Sequence, residues 1–350
     1  MNFLLVKLEG EIVVILDYTK KGYRYMNRIC EMLEIEVPII EGGLAYVGNG
    51  LLAAAVSNGG GFGQVGSAGR SPENFEREIL IAREATNNPF GVNIPISHHS
   101  DFTPYMEIIK KHRKLIKAVS LGAGNPKDLI PFVKENDLKV LVLTSTAFHS
   151  AKAESLGADI IVCEGYEAGG SNGPSELTTF TLVPQVRKAV SIPVVAAGGI
   201  ADGKSMAAVM ILGADGVQLG TRFVATKECE AHERFKTAIL EAKDDTTTIL
   251  TRLLKGPLRV LKNEYAKQVQ IEEKNQPTLE HILPMVRGTY NKLAMLDGDI
   301  QGGFMSCGQV AGLIDELESA EMIVKRISNE ARQLFKTSYK LAEDFAEVHL

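Results

Sequence analysis

Eight short apolar runs recur about every 25 residues between Val37 and Phe223, and most of them end in glycine or a small polar residue. The runs are VPIIEGG, GFGQVGS, FGVNIPI, IKAVSLGAG, LKVLVLTST, ADIIVCEG, IPVVAAGG and DGVQLGTRF. Near-continuous apolar runs are typical of parallel strands that helices cover on both faces. Eight strand–helix repeats are the number that closes a (β/α)8 barrel. We therefore predict this α/β fold, with an open doubly wound sheet as the alternative.

The alternation stops after Phe223, and residues 228–296 show helical periodicity without a strand run. We predict a barrel made of residues 26–227 and 300–350, with a helical subdomain at 228–299 that covers the barrel mouth. This segment suits a homodimer face as well as a lid. Charged residues break the apolar runs of residues 1–25 too often for a signal peptide or a membrane span. We predict that these residues are a peripheral extension or result from an upstream translation start.

The composition narrows the class of function. The net charge of −5 leaves no basic footprint, so nucleic acid is not an expected partner. The four cysteines are far apart and lack the spacing of a metal site, which favours a reducing cytoplasm over a disulfide framework. With no membrane-spanning pattern, the chain is predicted to be a cytoplasmic protein that acts on a small molecule.

The predicted strand ends seven and eight have the pattern of a phosphate site. Strand seven ends at Gly198-Gly199 and strand eight at Gly220-Thr221. In barrels of this type, phosphate binds between these two turns through backbone N–H groups, which a Cβ would hold away from the anion. The hydroxyl of Thr221 adds a further donor.

Other strand ends indicate what carries the phosphate. Asn93 offers an amide suited to the edge of a heterocycle, and residues 41–46 offer small side chains where a flat ring can lie. Glu164 and the pair Gly169-Gly170 add a carboxylate and a close backbone. A phosphate tail and a polar aromatic head describe FMN, which is the predicted cofactor.

These segments resemble the FMN-dependent nitronate monooxygenases (2-nitropropane dioxygenases) and the related flavin-dependent enoyl-ACP reductases. The resemblance rests on PIIEGGLA, FGVNI, GAGNP, EGYEAGG, LTTFTLVPQV, IPVVAAGGIADG, GADGVQLGTRFVATKE and CGQVAGLI, over roughly residues 26–320. GAGNP, LTTFTLVPQV and the stretch after RFVATKE are closer to the reductases. The resemblance implies a barrel with a helical insertion. It also implies flavin contacts at Gly42, Gly43, Leu44, Asn93, Glu164, Gly169, Gly199, Gln218, Leu219, Gly220 and Thr221.

One position departs from the family pattern. Both branches typically read Glu-Ala-Gly-Gly-His, and that histidine is the expected acid or base beside the flavin; here Ser171 follows Gly170. A serine hydroxyl is too weakly acidic to replace it without an activator. His98, His99 and His149 lie after predicted strands on the same face and are the candidate substitutes. We expect no bound metal, and we expect Cys163 and Cys307 to be packing residues.

Three functions remain open. A nitronate is already deprotonated, so its oxidation by FMN and O2 tolerates Ser171 best, and we favour a nitronate monooxygenase-like enzyme. An enoyl thioester reductase that uses NAD(P)H is the second candidate, although loss of its general acid typically costs about 10²–10⁴-fold. The third is a diaphorase-like or non-catalytic FMN-binding protein.

Overall fold

The computed structural model describes the backbone of residues 3–8, 12–19, 22–25, 27–98, 101–253 and 255–346, and the side chains of 27–97, 101–253 and 255–338. The first three strands, β1 (Phe3–Leu8), β2 (Ile12–Thr19) and β3 (Gly22–Tyr25), pair antiparallel in a sheet of their own. The predicted peripheral extension therefore has its own local structure, and its separateness from the barrel in solution stays a prediction.

An eight-stranded parallel sheet follows. Its strands, with the short β10 (Gly170–Ser171) of another sheet between the sixth and seventh, are β4 (Ile39–Glu41), β5 (Gly63–Gly66), β6 (Phe90–Pro95), β7 (Ala118–Gly122), β8 (Lys139–Thr144), β9 (Ile160–Glu164), β11 (Val194–Ala197) and β12 (Gly216–Leu219). The first strand β4 pairs with the last strand β12, and a parallel bridge between Ile40 and Phe62 joins it to the segment leading into β5. The ring is closed, which confirms the (β/α)8 barrel and excludes the open sheet.

Helices connect the strands and follow the barrel. They are α1 (Arg28–Leu33), α2 (Gly50–Asn58), α3 (Pro72–Ala85), α4 (Thr103–Lys111), α5 (Leu129–Glu135), α6 (Ala147–Ser155), α7 (Thr179–Ala189), α8 (Gly203–Ile211), α9 (Thr221–Val224), α10 (Glu233–Leu240), α11 (Glu264–Asn275), α12 (Leu279–Ile282), α13 (Gly288–Met295) and α14 (Ala320–Ala346). Short 3₁₀ helices occupy Ile96–His98, Leu283–Val286 and Gln309–Leu313. Among the residues that the structure describes, no helix has the length and apolar character needed to cross a membrane.

The apolar side chains of the strands pack in two layers, one inside the barrel and one between the barrel and its helices. Residues such as Ile40, Leu141 and Val162 fill the barrel interior, and the alternate residues pack outward against the helices. Helix α1 closes the floor of the barrel, because Ile29 and Leu33 are fully buried in the interior cluster. The amino ends of the strands are therefore plugged, and the barrel interior is closed at this end.

The segment after the barrel differs from the prediction in one respect. Residues 228–296 contain two strands, β13 (Thr247–Leu250) and β14 (Leu258–Leu261), which the sequence analysis missed. The stretch LLKGPLRVLKNEYAKQV, part of the predicted helical region, is helical only from Glu264 onward. Gly256 and Pro257 interrupt its first part, and Thr251 and Lys255 adopt left-handed backbone. The resulting hairpin adds β10 at its edge and packs on α11 and α12 around Leu250, Val260 and Phe304. The division at residues 228 and 299 stays a proposal.

Candidate active site

A cavity of about 790 Å³ lies at the carboxyl ends of the barrel strands. Its volume falls in the range of about 300–1,000 Å³ that small-molecule sites occupy. Twelve of the thirteen predicted cofactor residues line it: Gly42, Gly43, Leu44, Asn93, Glu164, Gly169, Gly170, Gly198, Gly199, Gln218, Gly220 and Thr221. The exception is Leu219, whose side chain is buried in the outer layer of the core while its carbonyl accepts from the Gly42 amide.

The first of the two predicted phosphate-binding turns has a backbone conformation that requires glycine. Gly198 and Gly199 have φ angles of 84° and 74°, a backbone conformation that side chains with a Cβ rarely adopt. The Thr179 hydroxyl donates to the Gly198 carbonyl at 2.7 Å, and the Thr179 amide donates to both carboxylate oxygens of Glu167 at 3.0 and 2.9 Å. Glu167 therefore ties the platform loop (residues 165–171) to the turn after β11.

Gly43, after β4, and Asn93, in β6, fit tightly together. A Cβ on Gly43 would lie 2.1 Å from Asn93 Oδ1, so only glycine allows the loop after β4 to pass this amide. The Asn93 amide nitrogen donates to the Ser120 hydroxyl at 2.8 Å, which fixes the orientation of the side chain. The site thus presents an oriented amide in the cavity lining, and its contact with a flavin stays a prediction.

The platform loop is held from two sides. Gly169 lies against Cys307 and Gly308, because a Cβ there would be 2.6 Å from their backbone atoms. Gly170 has φ of 85° and open space where its Cβ would point. Ser171 is exposed and pairs with Leu258 in the antiparallel ladder of β10 and β14. The flat glycine surface therefore faces open space, and the hairpin supports it from the side.

The sequence analysis did not predict that the segment 304–308 lines the cavity and contacts the platform loop. Phe304, Ser306 and Gly308 line the cavity, and the Gly308 amide donates to the Thr221 hydroxyl at 2.9 Å. The CGQVAG motif pointed to this segment, but spacing alone does not bring it across the barrel mouth. Leu279, Leu283 and Val286, which also line the cavity, come from a stretch without a recognisable motif.

A second cavity of about 470 Å³ adjoins the first. The two share four lining residues, Ala123, Leu143, Glu164 and Ser171, so these mark the junction. Glu164 ends β9, and removal from water raises its pKa to about 8. A carboxyl group with this pKa is largely protonated at neutral pH.

Among the described side chains, no histidine predicted as a substitute base lines the main cavity. His149 is exposed in the first turn of α6 and lines the second cavity rather than the first. The backbone of His98 ends the 3₁₀ helix Ile96–His98, while its side chain, and the whole of His99, lie outside the described residues. No described histidine lines the main cavity, where Glu164, Glu167 and Tyr46 are the titratable side chains.

The cysteines and Tyr166 have packing environments. Cys163 and Cys307 are fully buried, and burial raises the pKa of each thiol to about 12, which leaves no reactive thiolate. The ring of Tyr166 is covered by the guanidinium of Arg259 at 5.0 Å and does not line either cavity. Among the described residues, no cluster of His, Cys, Asp and Glu is arranged to hold a metal ion.

A closed barrel with a glycine-lined cavity at the carboxyl ends of its strands defines an enzyme of the (β/α)8 class. Residues 26–330 match the nitronate monooxygenase family model, and the chain belongs to that family.

Three proteins illustrate what the chain is similar to. A probable nitronate monooxygenase of Staphylococcus aureus (strain JH9) is 31% identical over 89% of this chain and 98% of its own length. The structure of FabK from Thermotoga maritima is 37% identical, covers 91% of this chain and 100% of its own, and superposes with a TM-score of 0.85. A nitroalkane oxidase of Streptomyces ansochromogenes is 25% identical, covers 88% of this chain and 99% of its own, and has a TM-score of 0.77.

Proposed function

We propose that the chain is an FMN-dependent oxidoreductase that oxidises alkyl nitronates and passes the electrons to O2. The observation that carries this proposal is Ser171. The side chain that follows the glycine platform has no group that titrates near neutrality. A site of this kind favours a substrate that arrives already deprotonated.

The cavity fits FMN. The turns at Gly198-Gly199 and Gly220-Thr221 offer backbone amides without a Cβ in front of them, which suits a phosphate. The oriented amide of Asn93 and that of Gln218 suit the polar edge of a flavin ring. The open space at Gly170 leaves room for a flat ring over the platform. Bound FMN supplies the electron acceptor.

The protein side of this reaction is positioning. Ser171 is held in a strand, so its hydroxyl can hydrogen-bond an anionic substrate without taking a proton from carbon. Leu258, Leu279 and Leu283 line the cavity with apolar surface that favours the alkyl part of the substrate. No general base is required for a nitronate, whereas a neutral nitroalkane requires one.

The test is an anaerobic stopped-flow measurement of the absorbance of oxidised flavin. The enzyme is mixed separately with propyl-2-nitronate, 2-nitropropane, NADH and NADPH. The proposal predicts fast bleaching by the nitronate and slow bleaching by the neutral nitroalkane. Absence of bleaching by the nitronate overturns it.

Enoyl thioester reduction is the second candidate, and two observations favour it. The chain is 37% identical to FabK of Thermotoga maritima, more than to the probable nitronate monooxygenase. Leu279 and Leu283 line the cavity and are about half exposed (52% and 51% of each residue), which suits an acyl chain. This function predicts fast bleaching by NADH or NADPH and reoxidation by an enoyl thioester. Bound FMN that no donor reduces would indicate a non-catalytic binding protein.

A further inference from the structure

The junction between the two cavities contains one carboxyl group. Glu164 and Ser171 are the polar residues among the four that line both cavities, and Ala123 and Leu143 are apolar. Glu164 lies at the carboxyl end of β9, where the adjacent strand residue is Ala197. This carboxyl group therefore lines the same cavity as the platform residues Gly170 and Ser171.

Glu164 is partly exposed to the two cavities, and its carboxyl group lacks the partners that desolvated carboxylates usually have. In the described part of the chain, no side chain forms a hydrogen bond or an ion pair with its carboxyl group. An ionised carboxylate that is partly removed from water is unfavourable without a partner, which favours the protonated form. Desolvation is the cause of its pKa of about 8, in agreement with the absence of a charged partner.

The other titratable groups near the junction are few. The main cavity contains Glu167, whose oxygens accept from Thr179, and Tyr46, whose pKa burial raises. The side cavity contains His149 and Lys152, both exposed on α6. The side chain of His98, in the turn after β6, lies outside the described residues. Any pH dependence attributed to Glu164 must be separated from these five groups.

We propose that Glu164 recognises the substrate: its protonated carboxyl group donates a hydrogen bond to the anionic oxygen of the nitronate. This deepens the proposed function and rests on it for the identity of the ligand. A neutral acid attracts an anion as a donor, whereas an ionised carboxylate repels it. The carboxyl group has two oxygens, so a contact of one with the flavin is compatible with donation from the other.

The experiment measures binding without turnover. The probe is isobutyrate, a redox-inert anion with the same heavy-atom skeleton as propyl-2-nitronate, and its Kd is measured on the FMN-loaded enzyme from pH 6 to pH 10 by calorimetry. We expect a constant Kd below about pH 8 and a tenfold increase for each further pH unit, because only the protonated form binds.

Glu164→Gln is the key variant, since its amide still donates but does not ionise. Its Kd should stay within a few-fold of the wild-type value at pH 6 and show no increase near pH 8. Glu164→Leu removes the donor and should weaken binding about tenfold at pH 6. His149→Ala and Lys152→Ala should keep the wild-type pH profile. A pH dependence that persists in Glu164→Gln, or a profile removed by His149→Ala, overturns the proposal.

A second measurement is independent of any ligand. Infrared difference spectra of the FMN-loaded wild type minus Glu164→Gln should contain a carboxylic acid C=O band that disappears between about pH 7 and pH 9. The buried Glu41, whose pKa is also raised, contributes equally to both proteins and cancels in the difference. An ionised Glu164 at pH 6 overturns the recognition role even if the enzyme oxidises nitronates. The opposite result is also informative. If Glu164 is protonated and the enzyme binds isobutyrate, but the nitronate does not reduce the flavin, the proposed function is rejected and the anion-binding role of Glu164 is retained.

Discussion

Arg259 holds the platform loop through Tyr166. Its Nε donates to the Tyr166 carbonyl at 3.0 Å, its guanidinium lies 5.0 Å from the centre of the Tyr166 ring, and its own backbone pairs with Gly170 in the antiparallel ladder. The side chain is buried and also donates to the Thr247 hydroxyl at 3.1 Å. One residue of the hairpin thus fixes the loop that carries Gly170 and Ser171.

The first prediction follows from this contact. Arg259→Met removes a buried, charge-assisted hydrogen bond to the loop and should lower the free energy of unfolding by about 2–3 kcal/mol. FMN affinity should fall about tenfold, because the platform is no longer held in place. Arg252→Met is the matched control: Arg252 also contacts the Tyr166 ring, at 5.9 Å, but it is mostly exposed and pairs with Glu176. It should cost at most about 1 kcal/mol. Equal effects of the two variants on chemical denaturation and FMN titration would contradict the prediction.

The second prediction concerns Gly43. Gly43→Ala places a Cβ 2.1 Å from Asn93 Oδ1 and must displace the oriented amide. We expect loss of bound FMN, by about one to two decades in Kd, with the barrel still folded. Gly256→Ala is the control, because this glycine also lines the cavity but has no atom within 4 Å of the added Cβ. Fluorescence titration with FMN checks both variants, and full affinity in Gly43→Ala would show that Asn93 is not a flavin contact.

The fold was predictable because its signal is repeated. Eight apolar runs with helices between them leave few arrangements, and each run became a barrel strand. The strand-end residues of the site were predictable for the same reason, since parallel strands bring their carboxyl ends to one face. Alternation along β12 turns the side chain of Leu219 outward, so its predicted flavin contact stays a prediction that only its backbone could fulfil.

Contacts between distant segments were not predictable. The hairpin of β13 and β14 consists of four-residue strands whose apolar pattern also suits a helix, and only Gly256-Pro257 signalled the break. The approach of Gly308 to Thr221 joins residues 87 positions apart and depends on how the chain returns across the mouth. The raised pKa of Glu164 likewise comes from burial in three dimensions, which no local pattern encodes.

The third prediction is a pH dependence of stability. Glu41 is fully buried, desolvation holds its pKa well above the ordinary value, and its Oε1 has no hydrogen-bond partner. Because the folded pKa exceeds the unfolded one, the unfolded chain binds fewer protons above about pH 4.5, and stability falls by up to about 1.4 kcal/mol per pH unit until the folded pKa is reached. Glu41→Gln keeps an acceptor for the Gln64 amide and removes this loss. Its melting temperature should exceed that of the wild type at pH 8 more than at pH 5. The same difference at both values would mean that Glu41 does not hold its proton.

The fourth prediction tests the missing histidine. Ser171 is exposed at the junction of the two cavities, so a histidine in its place meets open space and can face a substrate on the platform. Ser171→His supplies a group that accepts a proton from carbon. Oxidation of neutral 2-nitropropane should therefore rise by about 10–10³-fold, with activity increasing through the histidine pKa near pH 6.5. Oxidation of propyl-2-nitronate should change little, since that substrate has no proton to lose.

Ser171→Ala is the control, and it should leave nitroalkane oxidation at the wild-type level. Steady-state oxygen consumption with each substrate measures the ratio, and an equal change for both substrates would show that position 171 acts on binding rather than on proton transfer.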